Sequence, residues 1–336
     1  MATPEVEPAR IGRACGAPEF LQPWLGRFYS PAQQALVAVL VDGPLSEADA
    51  RSRMAAVVID DPWEAFLRRC ERFGVICVRD DGQLETADFH RRYEYWALFE
   101  GWADVPDPVR EKLNLWELDA YAAAHADTVA VLKAGGRRCA DRVCPEYVLL
   151  HEAEALLGRV AHVYLWPCNC RAMMAHCRRP TLTCLRFDNE RGIGWEISHG
   201  RAVAIVREAN RRGLMQSAEL GLGENGRITG ALCNCCSDCC FPHQLAQRLS
   251  AERIWPNSRY LARIRPERCS GCGRCASRCP FGAITMEKQD ADRRALLDVQ
   301  RCRGCGLCAT GCREQAVEMR RVGESIFENF YRQSLA

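Results

Sequence analysis

Cysteine is the residue type with chemistry to offer in this chain, which holds 22 of them among 336 residues. Eight fall in two runs of one spelling, C-x2-C-x2-C-x3-C: Cys269, Cys272, Cys275 and Cys279, then Cys302, Cys305, Cys308 and Cys312. Three thiolates two residues apart bend a tight loop around three corners of a cube. The fourth, three residues on, opens a helix that leads away from that cube and so reaches a neighbouring one. The spacing therefore predicts two [4Fe–4S] clusters, one on Cys269, Cys272, Cys275 and Cys312, the other on Cys302, Cys305, Cys308 and Cys279. Gly271, Gly273, Gly304 and Gly306 suit a backbone that must approach inorganic sulfide closely and take unusual angles. Zinc sites use four sulfurs as two C-x2-C pairs, which eight thiols in two identical runs overshoot. A disulfide framework belongs to small secreted chains.

Those runs, with Pro280 after Cys279, resemble two-cluster bacterial-type ferredoxins over about the last fifth of the chain. One position departs from the pattern: Cys312 is followed by Arg313 where the family has proline. The departure predicts a less rigid turn at Cys312 and a cation beside its cluster.

A second concentration of thiols lies upstream. Cys168, Cys170, Cys177 and Cys184 follow a strand at 161–166, and Cys233, Cys235, Cys236, Cys239 and Cys240 follow a helix at about 198–212 and a glycine-rich loop. Adjacent pairs such as Cys235-Cys236 and Cys239-Cys240 cannot all point into one apolar core, so these nine read as candidate ligands. At least one further iron–sulfur cluster is the expectation, with zinc or a redox-active dithiol as alternatives. His176 and His243 stand beside these clumps and are expected to be exposed and neutral. Gly221-Leu-Gly-Glu-Asn-Gly226 spells a dinucleotide-binding fingerprint but leads into the cysteine clump with no helix, so it reads as a plain loop.

Taken in order, Pro167-Cys168-Asn-Cys170-Arg171, then Cys233-Asn-Cys235-Cys236, then the two ferredoxin runs resemble a group of iron–sulfur proteins from anaerobic bacteria and archaea. That group is described only as 4Fe–4S binding proteins, and the resemblance, over about 30–320, implies redox function without naming a substrate. Ser237-Asp238 interrupt the second clump where a tighter cysteine run is expected.

The elements that must hold these thiols are legible in outline. Ser30-Pro31 opens a helix, Ser46 caps a second and Asp61-Pro62 opens a third. Two short strands then turn about Asp81-Gly82. The expected fold class is α+β and multidomain. Its parts are an irregular arm at 1–29, a winged-helix-like module at 30–92, a helical connector at 93–135, an α/β cysteine-rich central domain at 136–258, a two-cluster ferredoxin-like domain at 259–322 and a tail at 323–336. Lone cysteines such as Cys70 and Cys77 read as core residues.

Charge narrows the partners. Residues 31–92 carry eight arginines and no lysine against eleven acidic residues, the wrong sign for phosphate binding, so DNA is not the expected partner. Residues 262–321 carry thirteen basic against seven acidic residues, which favours a redox partner with an acidic docking surface. No apolar run is long enough to span a membrane, and the thiol content implies a reducing, cytoplasmic setting. The leading reading is a multi-cluster electron-transfer protein. A redox enzyme with the central thiols as active site and a DNA-binding redox sensor are the alternatives; catalytic residues, substrate and enzyme class are not assigned.

Overall fold

The computed structural model describes residues 8–102, 104–136, 144–223, 226–289, 292–325 and 327. The chain forms two compact units, one of residues 1–120, 172–174 and 190–193, the other of the remainder.

The first unit departs from expectation at its start. In place of an irregular arm there is helix α1 (Pro8–Cys15) and a 3-10 segment (Glu19–Arg27). Ile11, Leu21, Leu25 and Phe28 are buried, and the Phe28 ring lies 4.2 Å from Trp96. Prolines made this stretch look aperiodic, but Pro8 and Pro23 sit in helical segments that bury Ile11, Leu21 and Leu25. Helices α2 (Pro31–Val39), α3 (Glu47–Arg53) and α4 (Trp63–Arg72) follow, then the hairpin β1 (Ile76–Val78) and β2 (Leu84–Thr86). Ser30 caps α2 with a full capping box to Gln33, and Ser46 accepts from the Asp49 amide at 3.1 Å. Cys70 is buried as expected, while Cys77 is only half-buried. Helices α5 (Phe89–Phe99) and α6 (Asp107–Lys133) complete the helical stretch, and the first of the unit's three segments ends at Ala120, within α6.

In the second unit, β3 (Glu146–Tyr147), α7 (Leu150–Leu157), β4 (Tyr164–Pro167), the start of α8 (Asn169–Met174, whose last three residues belong to the first unit), β5 (Leu182–Arg186), β6 (Trp195–Glu196), α9 (His199–Arg211), β7 (Met215–Leu222) and β8 (Ile228–Cys235) alternate through the central region. Their strands form one antiparallel sheet in the order β3-β7-β8-β5-β4-β6. Residues two apart on a strand share a face. Leu185, Ala218, Leu220 and Leu232 turn to one face, where Leu156 and Leu157 of α7 and Ala202 and Val206 of α9 cover them. The intervening residues Cys184, Cys233 and Cys235 therefore project from the other face. Asn234 is buried between Gln216, whose amide donates to Asn234 Oδ1 at 2.9 Å, and the Thr183 carbonyl at 2.7 Å. Gly221 lies in β7 and Gly226 in the β7–β8 connection, so no helix starts at the dinucleotide-like spelling.

After α10 (Phe241–Arg248) the chain runs through β9 (Tyr260–Ile264), α11 (Arg274–Arg278), β10 (Ile284–Gln289), β11 (Asp292–Leu297), α12 (Leu307–Thr310) and β12 (Val317–Arg321). β9 pairs antiparallel with β12, and β10 with β11, which makes two similar halves. The segments expected as separate domains at 136–258 and 259–322 lie in one compact unit; residues 137–143, with Cys139, fall outside the described residues.

Two devices bind these segments together. Arg259 is buried between two carboxylates: its Nε lies 2.7 Å from Glu146 Oε1, and its Nη atoms each reach Glu152 at 2.9 Å. Arg278, on α11, donates to the Leu307 carbonyl at 2.8 Å, the Asn210 carbonyl at 2.8 Å and the Arg211 carbonyl at 3.0 Å, joining α11, α12 and the end of α9. A planar guanidinium spreads five donors over a fixed fork and so reaches acceptors on separate elements, Asn210 Oδ1 and Thr310 Oγ1 among them, where a lysine ammonium is a single point with three donors.

Candidate iron–sulfur and thiolate centres

The two ferredoxin runs take matching shapes. Each begins a short helix from a left-handed glycine, Gly273 (φ +75°) for α11 and Gly306 (φ +79°) for α12. Gly271 and Gly304 are also left-handed, with φ of +68° and +70°. A Cβ on either would stand 2.2 Å from a backbone carbonyl oxygen, that of Arg293 or Tyr260, so close approach as well as conformation demands glycine.

Cys269, Cys272, Cys275 and Cys312 line one small pocket, together with Ile264, Met286, Ala295 and Val317. Cys279 keeps company instead with Cys302, Cys305 and Cys308, whose charges it couples to. Cys312 thus lies beside the thiols of the first run and Cys279 beside those of the second. Burial pushes the Cys305 thiol up to about 12 and Cys308 higher still, and their thiol neighbours push the same way. Several buried thiolates without a cation are unfavourable, so this donor set fits a polycationic metal core.

The turn at Cys312 makes the same contacts as its proline-bearing counterpart at Cys279. The Ala316 amide donates to Cys312 Sγ at 3.2 Å, as the Ala283 amide donates to Cys279 Sγ at 3.3 Å. Gln315 takes a left-handed conformation (φ +50°) matching that of Gly282 (φ +59°). The turn is held by its N–H to sulfur bond and its backbone, with or without proline after the cysteine.

The nine central cysteines separate into two groups. Cys168, Cys170, Cys184, Cys233, Cys235 and Cys240 form a chain of thiol contacts, from Cys170 to Cys168, Cys184 to Cys233, Cys233 to Cys235 and Cys235 to Cys240. Cys240 also lies close to Cys170, and Cys168 to both Cys184 and Cys233, which closes the chain into a ring of six. Hydrogen bonds from Cys184 and Cys235 hold Cys233 well below the usual thiol range, and the same contacts drive its two neighbours up. The strand ending at Pro167 delivers Cys168 and Cys170, β5 delivers Cys184, β8 delivers Cys233 and Cys235, and the start of α10 delivers Cys240.

Cys177, Cys236 and Cys239 form the second group. Their sulfurs lie 3.8 Å apart for Cys177 and Cys236 and 3.7 Å apart for Cys239 and Cys177, and the Cys239 amide donates to Cys236 Sγ at 3.3 Å. The buried Arg171 guanidinium touches Cys236 while donating to the Asn234 carbonyl at 2.6 Å, to Thr183 Oγ1 at 3.1 Å and to the Pro180 carbonyl. The hydrogen bond from Cys239 brings the Cys236 thiol down to about 4, against burial and with Arg171 assisting.

The six-thiol ring adjoins the ferredoxin segment. Cys235, Cys240 and Cys305 pack with Tyr147, Met215 and Leu307 in one buried apolar cluster. Nothing in the sequence pointed to Tyr147, because its role follows from pairing β3 beside β7. His243, expected to be exposed, is buried on α10 with its ring 5.3 Å from Phe281; burial and the nearby Arg303 push it below the usual imidazole range. His176 is exposed. Among the described cysteines only Cys272 is exposed.

Residues 262–285, spanning the first ferredoxin run, match the 4Fe-4S binding domain family. No curated protein matches the chain. The matched domain and the abundance of thiols support an iron–sulfur electron-transfer role, and no described helix is long and apolar enough to cross a membrane.

Proposed function

We propose that this chain is a multi-cluster electron carrier. It would hold one [4Fe–4S] cluster on Cys269, Cys272, Cys275 and Cys312, a second on Cys302, Cys305, Cys308 and Cys279, and a third within the ring of Cys168, Cys170, Cys184, Cys233, Cys235 and Cys240. When bound, such clusters supply one-electron carriers whose potentials follow net charge, hydrogen bonds to sulfur and solvent exposure. The observation that carries the reading is the gradient of burial along these ligands. Cys272 is exposed, Cys302, Cys305 and Cys308 are buried, and Cys305 packs in one apolar cluster with Cys235 and Cys240. Electrons enter or leave at the surface beside Cys272 and are shielded from water further in.

The charge of the ferredoxin segment points to the partner. Arg263, Arg268, Arg293 and Arg313 are exposed on the ferredoxin segment. They favour a redox protein with an acidic face, whose docking weakens as salt screens it. Residues 30–92 are a winged-helix-like docking module in this reading; the acidic balance of 31–92 argues against duplex DNA. The setting is a reducing, cytoplasmic one.

The deciding experiment is iron and acid-labile sulfide per chain after anaerobic purification. About twelve of each is expected, at four per cubane. About eight would remove the central cluster from the proposal, and fewer than eight would remove one of the ferredoxin pair.

A further inference from the structure

The nine central cysteines do not behave as one ligand pool. Among the described residues, Cys177, Cys236 and Cys239 form the single group of three ligand atoms from cysteine, histidine or carboxylate side chains that all lie within 4.8 Å of one another. In the ferredoxin runs and the six-thiol ring, thiols pair, but no three described sulfurs lie within that distance of one another. That difference has a chemical meaning. Thiolates on one tetrahedral zinc, bound at about 2.3 Å, stand about 3.8 Å apart along the tetrahedron edge. Thiolates of a cubane each bind a different iron and stand a cluster edge further apart. The separations of 3.8 Å and 3.7 Å that Cys177 makes with Cys236 and Cys239 are those of a single ion.

We infer that Cys177, Cys236 and Cys239 bind one zinc ion, apart from every iron–sulfur cluster, with the fourth position open. Cys236-Ser-Asp-Cys239 supplies a C-x2-C turn whose Cys239 amide already donates to Cys236 Sγ, the kind of contact that orients a metal thiolate. Three thiolates and one Zn²⁺ leave one negative charge. Arg171, only 2% exposed and in contact with Cys236, meets that charge while its other donors hold the Asn234 carbonyl and Thr183. Binding displaces the thiol protons to solvent and changes no oxidation state. No fourth cysteine, histidine or carboxylate ligand atom joins the group among the described residues, and Cys177 is partly exposed. Three protein ligands and one free position are the pattern of zinc sites that bind or activate a small ligand. The external ligand suited to such a site is a water or a small thiol.

The full chain, purified anaerobically, should carry about one zinc beside its iron. In Cys177→Ser and Cys239→Ser the zinc should fall at least tenfold while iron and sulfide stay at the wild-type count. Because that comparison is made against the wild-type iron, it stands whether the chain holds eight iron or twelve. Loss of about four iron in either variant would place these thiols on a cluster and overturn the inference. Cobalt exchanged into the unmodified chain should give the visible bands of a tetrahedral thiolate complex, a readout that needs no variant to fold. Adding a small thiol should shift those bands. A wild-type chain with neither zinc nor such bands refutes the site, and bands indifferent to added thiol refute the open position.

Discussion

Arg259 is the point at which the ferredoxin segment is fastened to the central sheet, and its removal should be costly in a calculable way. Glu146 has no solvent exposure and Arg259 only 6%. The Glu146 carboxylate is met by the Arg259 guanidinium at 2.7 Å, Asn257 Nδ2 at 2.6 Å and Ser325 Oγ at 2.7 Å. Glu152 accepts both Arg259 Nη atoms, the Tyr260 hydroxyl and the Leu149 amide. Arg259→Met keeps much of the side-chain volume but leaves two carboxylates facing each other without a cation. Breaking a buried pair by removing one partner costs about 3–5 kcal/mol. At roughly 2–4 °C per kcal/mol for a unit of this size, the anaerobic melting midpoint should fall by about 6–20 °C at a fixed scan rate. Replacing the carboxylates as well, in Arg259→Met with Glu146→Gln and Glu152→Gln, should recover most of the loss, because the cost lies in the unpaired charge rather than in the pair. A single variant that melts within about 2 °C of wild type would refute the reasoning, as would a triple variant no better than the single.

Gly271→Ala should lose about four iron per chain, since its Cβ meets the Arg293 carbonyl at 2.2 Å. Gly226→Ala has a similar positive φ (+67°) but open space around it, and should keep all its iron. Arg278→Ala should speed hydrogen exchange of the α12 amides by roughly 10- to 100-fold, the cost of losing charge-assisted bonds, with little change at α7. In the first unit, half-burial pushes His90 down, but the hydrogen bond and charge of Glu117, 2.6 Å away, outweigh it and hold His90 above the usual imidazole range. The stabilisation is then present below the ordinary imidazole pKa and is lost as pH rises through the folded value. Glu117→Gln should accordingly lower the His90 midpoint in an NMR titration and destabilise more at about pH 5.5 than at about pH 8.5.

What the sequence determined by itself is what short-range spacing can encode. Cysteines two and three residues apart raise the expectation of two cluster-binding loops, and Cys279 lies beside Cys302, Cys305 and Cys308. Ser30, Ser46 and Ser198 mark helix starts because a cap acts within one turn. The aperiodic prolines of 8–29 misled, since a 3-10 segment buries Leu21 and Leu25 without a 3.6-residue repeat. Only the tertiary structure decided how the nine central thiols divide. Cys235 and Cys236 are neighbours in the chain, yet Cys235 ends β8 on the sheet face that meets Cys305, while Cys236 turns toward Cys177, 59 residues away. Adjacent side chains leave an extended backbone on opposite sides, so two neighbouring ligands serve two sites, and which partners they meet is set by strand pairing that no local pattern records.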